Sequence, residues 1–126
     1  MRIAVVCLLF AAILPYVAVG MAKWNPNFDN ARPRDWLEAL EGWHKRAYWA
    51  HQNSFEAFPS FAAAVIVAMM TGVRGSWIDA LALVFIAARI GYITAYVADR
   101  PTVRTLMWSI ATMAWIALFI AAALSY

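Results

Sequence analysis

Along this chain apolar residues gather into four long runs parted by short polar stretches. A helix crossing the roughly 30 Å hydrocarbon core of a bilayer takes about 20 mainly apolar residues, and four segments have that length. Segments 3–22 and 105–126 carry no charged residue, 47–73 carries only Glu56, and 76–98 carries Asp79 near its start and Arg89 in its middle. The pattern predicts an all-α fold: an integral membrane four-helix bundle filling 1–126 as a single domain, with one sizeable loop at 23–46. The first run ends in Val19-Gly20-Met21-Ala22, small residues that resemble a signal-peptide cleavage site. Ile3 to Val19 is longer than the usual signal core of roughly 7–15 residues, so a retained span is expected.

The loop has its own pattern. Asn25-Pro26-Asn27 and Arg32-Pro33 read as turns. Asp35 with Glu38 three residues on resembles a capping box that starts a short helix. Trp36, Leu40 and Trp43 then fall at i, i+4 and i+7, an apolar stripe suited to the headgroup interface or to an incoming lipophilic substrate.

Composition sharpens the class. The chain is 65% hydrophobic and 13% charged, whereas soluble domains hold roughly 45–50% and 25%. A soluble enzyme, a nucleic-acid-binding domain and a disordered tail are therefore excluded. The net charge of +3 is dispersed and acts as a topology signal instead of a patch. Lys23, Arg32, Arg34, Lys45 and Arg46 lie in or beside the first loop, with Arg100 and Arg104 beside the third, against Arg2 and Arg74 on the other side. The positive-inside rule makes loop 23–46 cytoplasmic and both termini non-cytoplasmic. The lone Cys7 excludes an internal disulfide and reads as packing.

Polar groups inside the runs carry the candidate chemistry. An arginine at a helix centre costs roughly 2.5–3.5 kcal/mol on insertion scales, so Arg89 requires a partner, and Glu56 is the obvious one. Arg46, Trp49, Asn53 and Glu56 recur at helical spacing, as do Arg89, Tyr92, Tyr96 and Arg100 on the next span. Two such stripes imply a shared cavity. A single structural ion pair needs only Glu56 and Arg89, and the stripes hold more than that. His51 lies about 200° around the helix from Asn53 and faces an adjacent helix or another subunit. His44 and His51 stand seven apart but bring no Cys, Asp or Glu at metal spacing, so no metal site is assigned. Pro59 is expected to kink span two and free a carbonyl near Glu56. Ala87, Gly91 and Ala95, and Ala117, Ala121 and Ser125, recur at intervals that permit close helix contact within one bundle or between subunits.

The segment Arg46 to Phe61, with Ala50-His51-Gln52-Asn53 followed by Glu56 and Pro59, resembles the signature of the MAPEG superfamily, the membrane-associated proteins of eicosanoid and glutathione metabolism, and is closest to its small bacterial members. The resemblance implies a homotrimer in a bacterial inner membrane that binds glutathione as co-substrate between subunits and acts on lipophilic small molecules. It places Asn53 and Glu56 on glutathione, gives His51 a polar position near the peptide, and lines the pocket with Tyr92 and Tyr96. Arg89 belongs to the same tyrosine-bearing span. Arg104 resembles the arginine beside the thiol in the eicosanoid synthases but stands one residue further from the tyrosines, which keeps Arg100 as the alternative. Trp49 stands where several relatives have a carboxylate-binding arginine, a role Arg46 would take over.

The residue types suit that guest. Glutathione carries two carboxylates and one ammonium, which arginines and Glu56 complement, and an adjacent arginine favours the thiolate of a bound thiol. The expected function is a membrane-bound glutathione-dependent transferase or peroxidase acting on lipophilic electrophiles or hydroperoxides. Its rivals are a small proton-coupled exporter, for which a lone membrane-embedded acid is also suitable, and a non-catalytic scaffold of the same fold.

Overall fold

The computed structural model describes residues 1–125. It is helical, with no strand among the described residues: α1 (Arg2–Ala22), α2 (Pro33–Glu38), α3 (Gly42–Met70), α4 (Gly75–Val97) and α5 (Pro101–Ala123). Four of the five, all but α2, are long and apolar enough to cross a membrane. The final residue of the last expected span, Tyr126, lies outside the described residues.

The helix starts follow local chemistry. Proline at the first position is pre-set for a helix and has no N–H to leave unsatisfied, and both Pro33 and Pro101 occupy that place. This corrects the expected capping box. Arg32 is the residue before α2, there is no side-chain cap, and Asp35 sits inside the first turn. The expected stripe of Trp36, Leu40 and Trp43 is also broken. Gly42 has φ +63°, a left-handed conformation that glycine adopts without strain, and the chain turns there into α3, five residues ahead of the expected span. Leu37, not Leu40, is the buried residue, packed with Ala22, Ala47 and Tyr48. α3 runs through Pro59 as one helix.

α3 and α4 each contact the other three long helices and form the centre of the bundle. α4 is the innermost: 44% of its most apolar stretch is buried, against 22–28% for the others. The seams are built of mostly small residues at three- and four-residue intervals, Ala4, Cys7 and Ala11 on α1, Ala64 and Ala68 on α3, Ala82, Phe85 and Ala88 on α4, and Ala111, Ala114, Leu118 and Ala122 on α5. Lipid tails are as apolar as leucine, so association rests on close van der Waals packing, which small residues permit. On α5 the buried row is thus 111–114–118–122 instead of 117–121–125. On α4, Gly91 lies under Met107, whose sulfur would come within 2.9 Å of an added Cβ, while Ala87 faces outward. Asp79 receives the Ala4 N–H and the Met1 amino group, each at 2.8 Å, and so satisfies the N-terminal end of α1.

Candidate functional site

The two polar stripes face one another across the α3–α4 contact. Arg89, only 2% exposed, extends from α4 to α3 and donates through Nη2 to the side-chain oxygen of Asn53 at 2.8 Å, with Ser54 Oγ at 3.4 Å. The Asn53 amide in turn donates through Nδ2 to Glu56 Oε2 at 3.3 Å. The expected direct pair of Arg89 with Glu56 is therefore replaced by a relay. Glu56 lies one helical turn along from Asn53, about 4.5 Å, and the guanidinium meets the amide first. An amide has an acceptor at one end and donors at the other, which lets Asn53 join cation to anion without carrying charge. Glu56 itself is exposed on this chain.

Aromatic rings extend the site along α4. The Arg89 guanidinium carbon stands 4.2 Å from the Tyr92 ring centre, and Tyr92 meets Tyr96 edge-on at 5.6 Å. From the start of α5, Arg104 places its guanidinium carbon 4.6 Å from the Tyr96 ring centre. The left-handed turn at Asp99, φ 57°, reverses the chain between α4 and α5 and brings Arg104 back over the tyrosine despite the extra residue in the spacing. Trp49 and Tyr96 lie 6.2 Å apart.

Most of these side chains, though not Ser54 or Arg104, border two cavities. A groove of about 340 Å³ is lined by Trp49, Gln52, Asn53, Glu56, Tyr92 and Tyr96. A deeper one of about 320 Å³ shares Asn53 and Glu56 and continues past Arg89 to Ser60, Thr112 and two tryptophans of α5. Both have the size of small-molecule sites, roughly 300–1,000 Å³.

Three of the residues expected at the site are placed elsewhere. Arg46 donates through Nε to the Val97 carbonyl at 3.1 Å, binding the C-terminal end of α4, where helix carbonyls lack partners. His51 turns to α1, its Nδ1 2.7 Å from the Pro15 carbonyl, as its angular offset from Asn53 requires. It borders a separate cavity with Lys23, Arg34 and Tyr48. Arg100 is exposed at the N-cap of α5 and lines neither cavity. Spacing alone missed Ser54 and Gln52, which adjoin Asn53 in sequence, and Trp108 and Trp115, whose seven-residue separation marks one face of α5.

The MAPEG family model matches residues 3–124, while no curated protein sequence matches the chain. With four helices able to span a bilayer and a polar site between the two central ones, this chain belongs to the MAPEG family.

Proposed function

We propose that the chain is a membrane-bound glutathione-dependent transferase or peroxidase acting on lipophilic electrophiles or hydroperoxides. The observation that carries this reading is the Arg89–Asn53–Glu56 relay opening onto an aromatic groove. Buried charges are kept where they recognise something, and here the exposed end of the relay is a carboxylate suited to an ammonium group. The groove offers Gln52 and Asn53 to peptide groups. Arg104 is the cation we assign to the thiol, and it is favoured over Arg100 because its guanidinium stands over Tyr96, a wall of the groove, whereas Arg100 is exposed at the N-cap of α5. A guanidinium beside a thiol stabilises the thiolate, the nucleophilic form. An electrophile dissolved in the bilayer then reaches it from the side, through the deeper cavity.

In this reading the working unit is a homotrimer in a bacterial inner membrane, with both termini non-cytoplasmic and the groove near the cytoplasmic side. A subunit neighbour would cover the outward face of Glu56. The test is turnover of chlorodinitrobenzene with glutathione by the purified protein. Arg104→Ala is expected to abolish most of the rate while thiol binding persists, and Glu56→Gln to weaken thiol binding. Absence of both thiol binding and glutathione-dependent turnover overturns the proposal.

One observation favours the exporter as a second reading. Glu56 is exposed and joined to Arg89 only through an amide, so the acid is not locked in a direct ion pair. Proton-driven uptake of a lipophilic cation into vesicles, lost in Glu56→Gln, would establish that reading instead.

A further inference from the structure

The deeper cavity differs in kind from the groove. It lies between α3, α4 and α5, with Trp108 and Trp115 one heptad apart on α5 and Phe85 on α4 among its walls. Phe85 is held flat against Phe61, ring centres 3.8 Å apart and planes at 4°, so that part of the wall is rigid. Trp108, on the wall of the cavity, is 45% exposed.

Two hydroxyls are set among these rings. A serine or threonine inside a helix commonly donates to the carbonyl one turn back. Ser54, Thr71, Thr94 and Ser109 all do so here, at 2.7–3.0 Å. Ser60, Thr105 and Thr112 have the Glu56, Pro101 and Trp108 carbonyls one turn back, yet among the described residues none of the three bonds through its hydroxyl, and of these Ser60 and Thr112 line this cavity. Within the hydrocarbon zone an unmet hydroxyl is costly. Two of them on the walls of one aromatic cavity are donors available to acceptor atoms that a guest would bring.

We propose that this cavity binds a planar aromatic molecule bearing carbonyl or nitro oxygens, its ring against Trp108 and Trp115 and its oxygens accepting hydrogen bonds from Ser60 and Thr112. The inference rests on the thiol reading of the groove only in making this molecule the second substrate. Asn53 and Glu56 border both cavities, so a ring held here lies beside whatever occupies the groove. Flat rings favour stacked or edge-on contact with other aromatics, whereas a flexible alkyl chain gains no such geometry and leaves the two hydroxyls unmet.

The experiment measures binding with no thiol present. Purified protein in phosphatidylcholine nanodiscs is titrated with fluorenone, with fluorene, which has the same rings and no oxygen, and with a straight-chain ketone of equal carbon count. Bound ligand is read by equilibrium dialysis against empty nanodiscs. Fluorenone is expected to bind about tenfold tighter than either comparison ligand. Ser60→Ala and Thr112→Val are each expected to lower fluorenone affinity by about 3- to 10-fold, the loss of a hydrogen bond, with fluorene binding unchanged as the control for folding. Trp108→Leu is expected to weaken both aromatic ligands. Equal affinity for fluorenone and fluorene, tighter binding of the straight-chain ketone, or unchanged fluorenone affinity in the Ser60→Ala/Thr112→Val double variant overturns the inference. Thiol-dependent turnover without fluorenone binding defeats this inference alone. Fluorenone binding without thiol binding defeats the transferase reading alone.

Discussion

Asn53 is the residue on which the site turns. It gives the buried Arg89 its nearest acceptor and passes the contact to Glu56. Removing the acceptor strands a cation in a low-dielectric interior, and hydrogen bonds to charged groups are worth about 1.5–3 kcal/mol. Asn53→Leu should therefore lower stability by about 2–3 kcal/mol, read as a drop in thermal midpoint in detergent. Glu56→Gln leaves the Arg89–Asn53 bond intact and should leave that midpoint nearly unchanged while weakening thiol binding. Arg104 makes a different prediction. An opposite charge within a few ångströms lowers an acidic pKa by about 1–3 units, so under the transferase reading the bound thiol ionises early. In Arg104→Ala the thiol pKa rises, the rate at neutral pH falls, and the midpoint of the pH–rate profile moves up by about 1–3 units. A profile that falls in height without moving would assign Arg104 a binding role only.

At the scale of elements, the α4–α5 contact depends on close approach. Gly91→Ala needs only a rotation of the Met107 side chain, whose sulfur is the nearest atom. Gly91→Leu has no such remedy and should cost about 1–3 kcal/mol, the usual effect of overpacking, seen as a lower thermal midpoint with helix content retained. Gly42→Ala, at φ +63°, should cost about 1–2 kcal/mol and loosen α2 from α3. The four long helices were legible in the sequence because charge-free runs leave a membrane chain few options, and the two polar stripes because three- and four-residue spacing fixes a face. The start of α2 was misjudged because Pro33 takes the first helical position ahead of the better capping residue Asp35. Arg46 and His51 were legible as polar positions but not by partner. Their contacts, the Val97 and Pro15 carbonyls, belong to neighbouring helices whose rotation no local pattern records.

The whole molecule presents an apolar exterior. Leu9, Phe10, Tyr16, Leu106 and Met113 are all more than half exposed, as expected of a protein whose outer solvent is lipid. Glu56 interrupts that surface, and an acid facing hydrocarbon is expensive. The proposed trimer removes the conflict by placing a second chain over it. Native mass spectrometry from nanodiscs should then give three copies, and a single-chain mass would leave Glu56 in lipid and defeat the trimer.

The charges deep in the apolar runs, Glu56 and Arg89, reside on the two central helices, and only residues 71–74 separate α3 from α4. During synthesis Asn53 emerges before Arg89, so the guanidinium enters the membrane with its acceptor already made a short hairpin away. A linker long enough to delay that encounter would leave the nascent α4 carrying a lone cation, and its entry into the bilayer would then bear the full penalty of about 2.5–3.5 kcal/mol for an unmatched arginine.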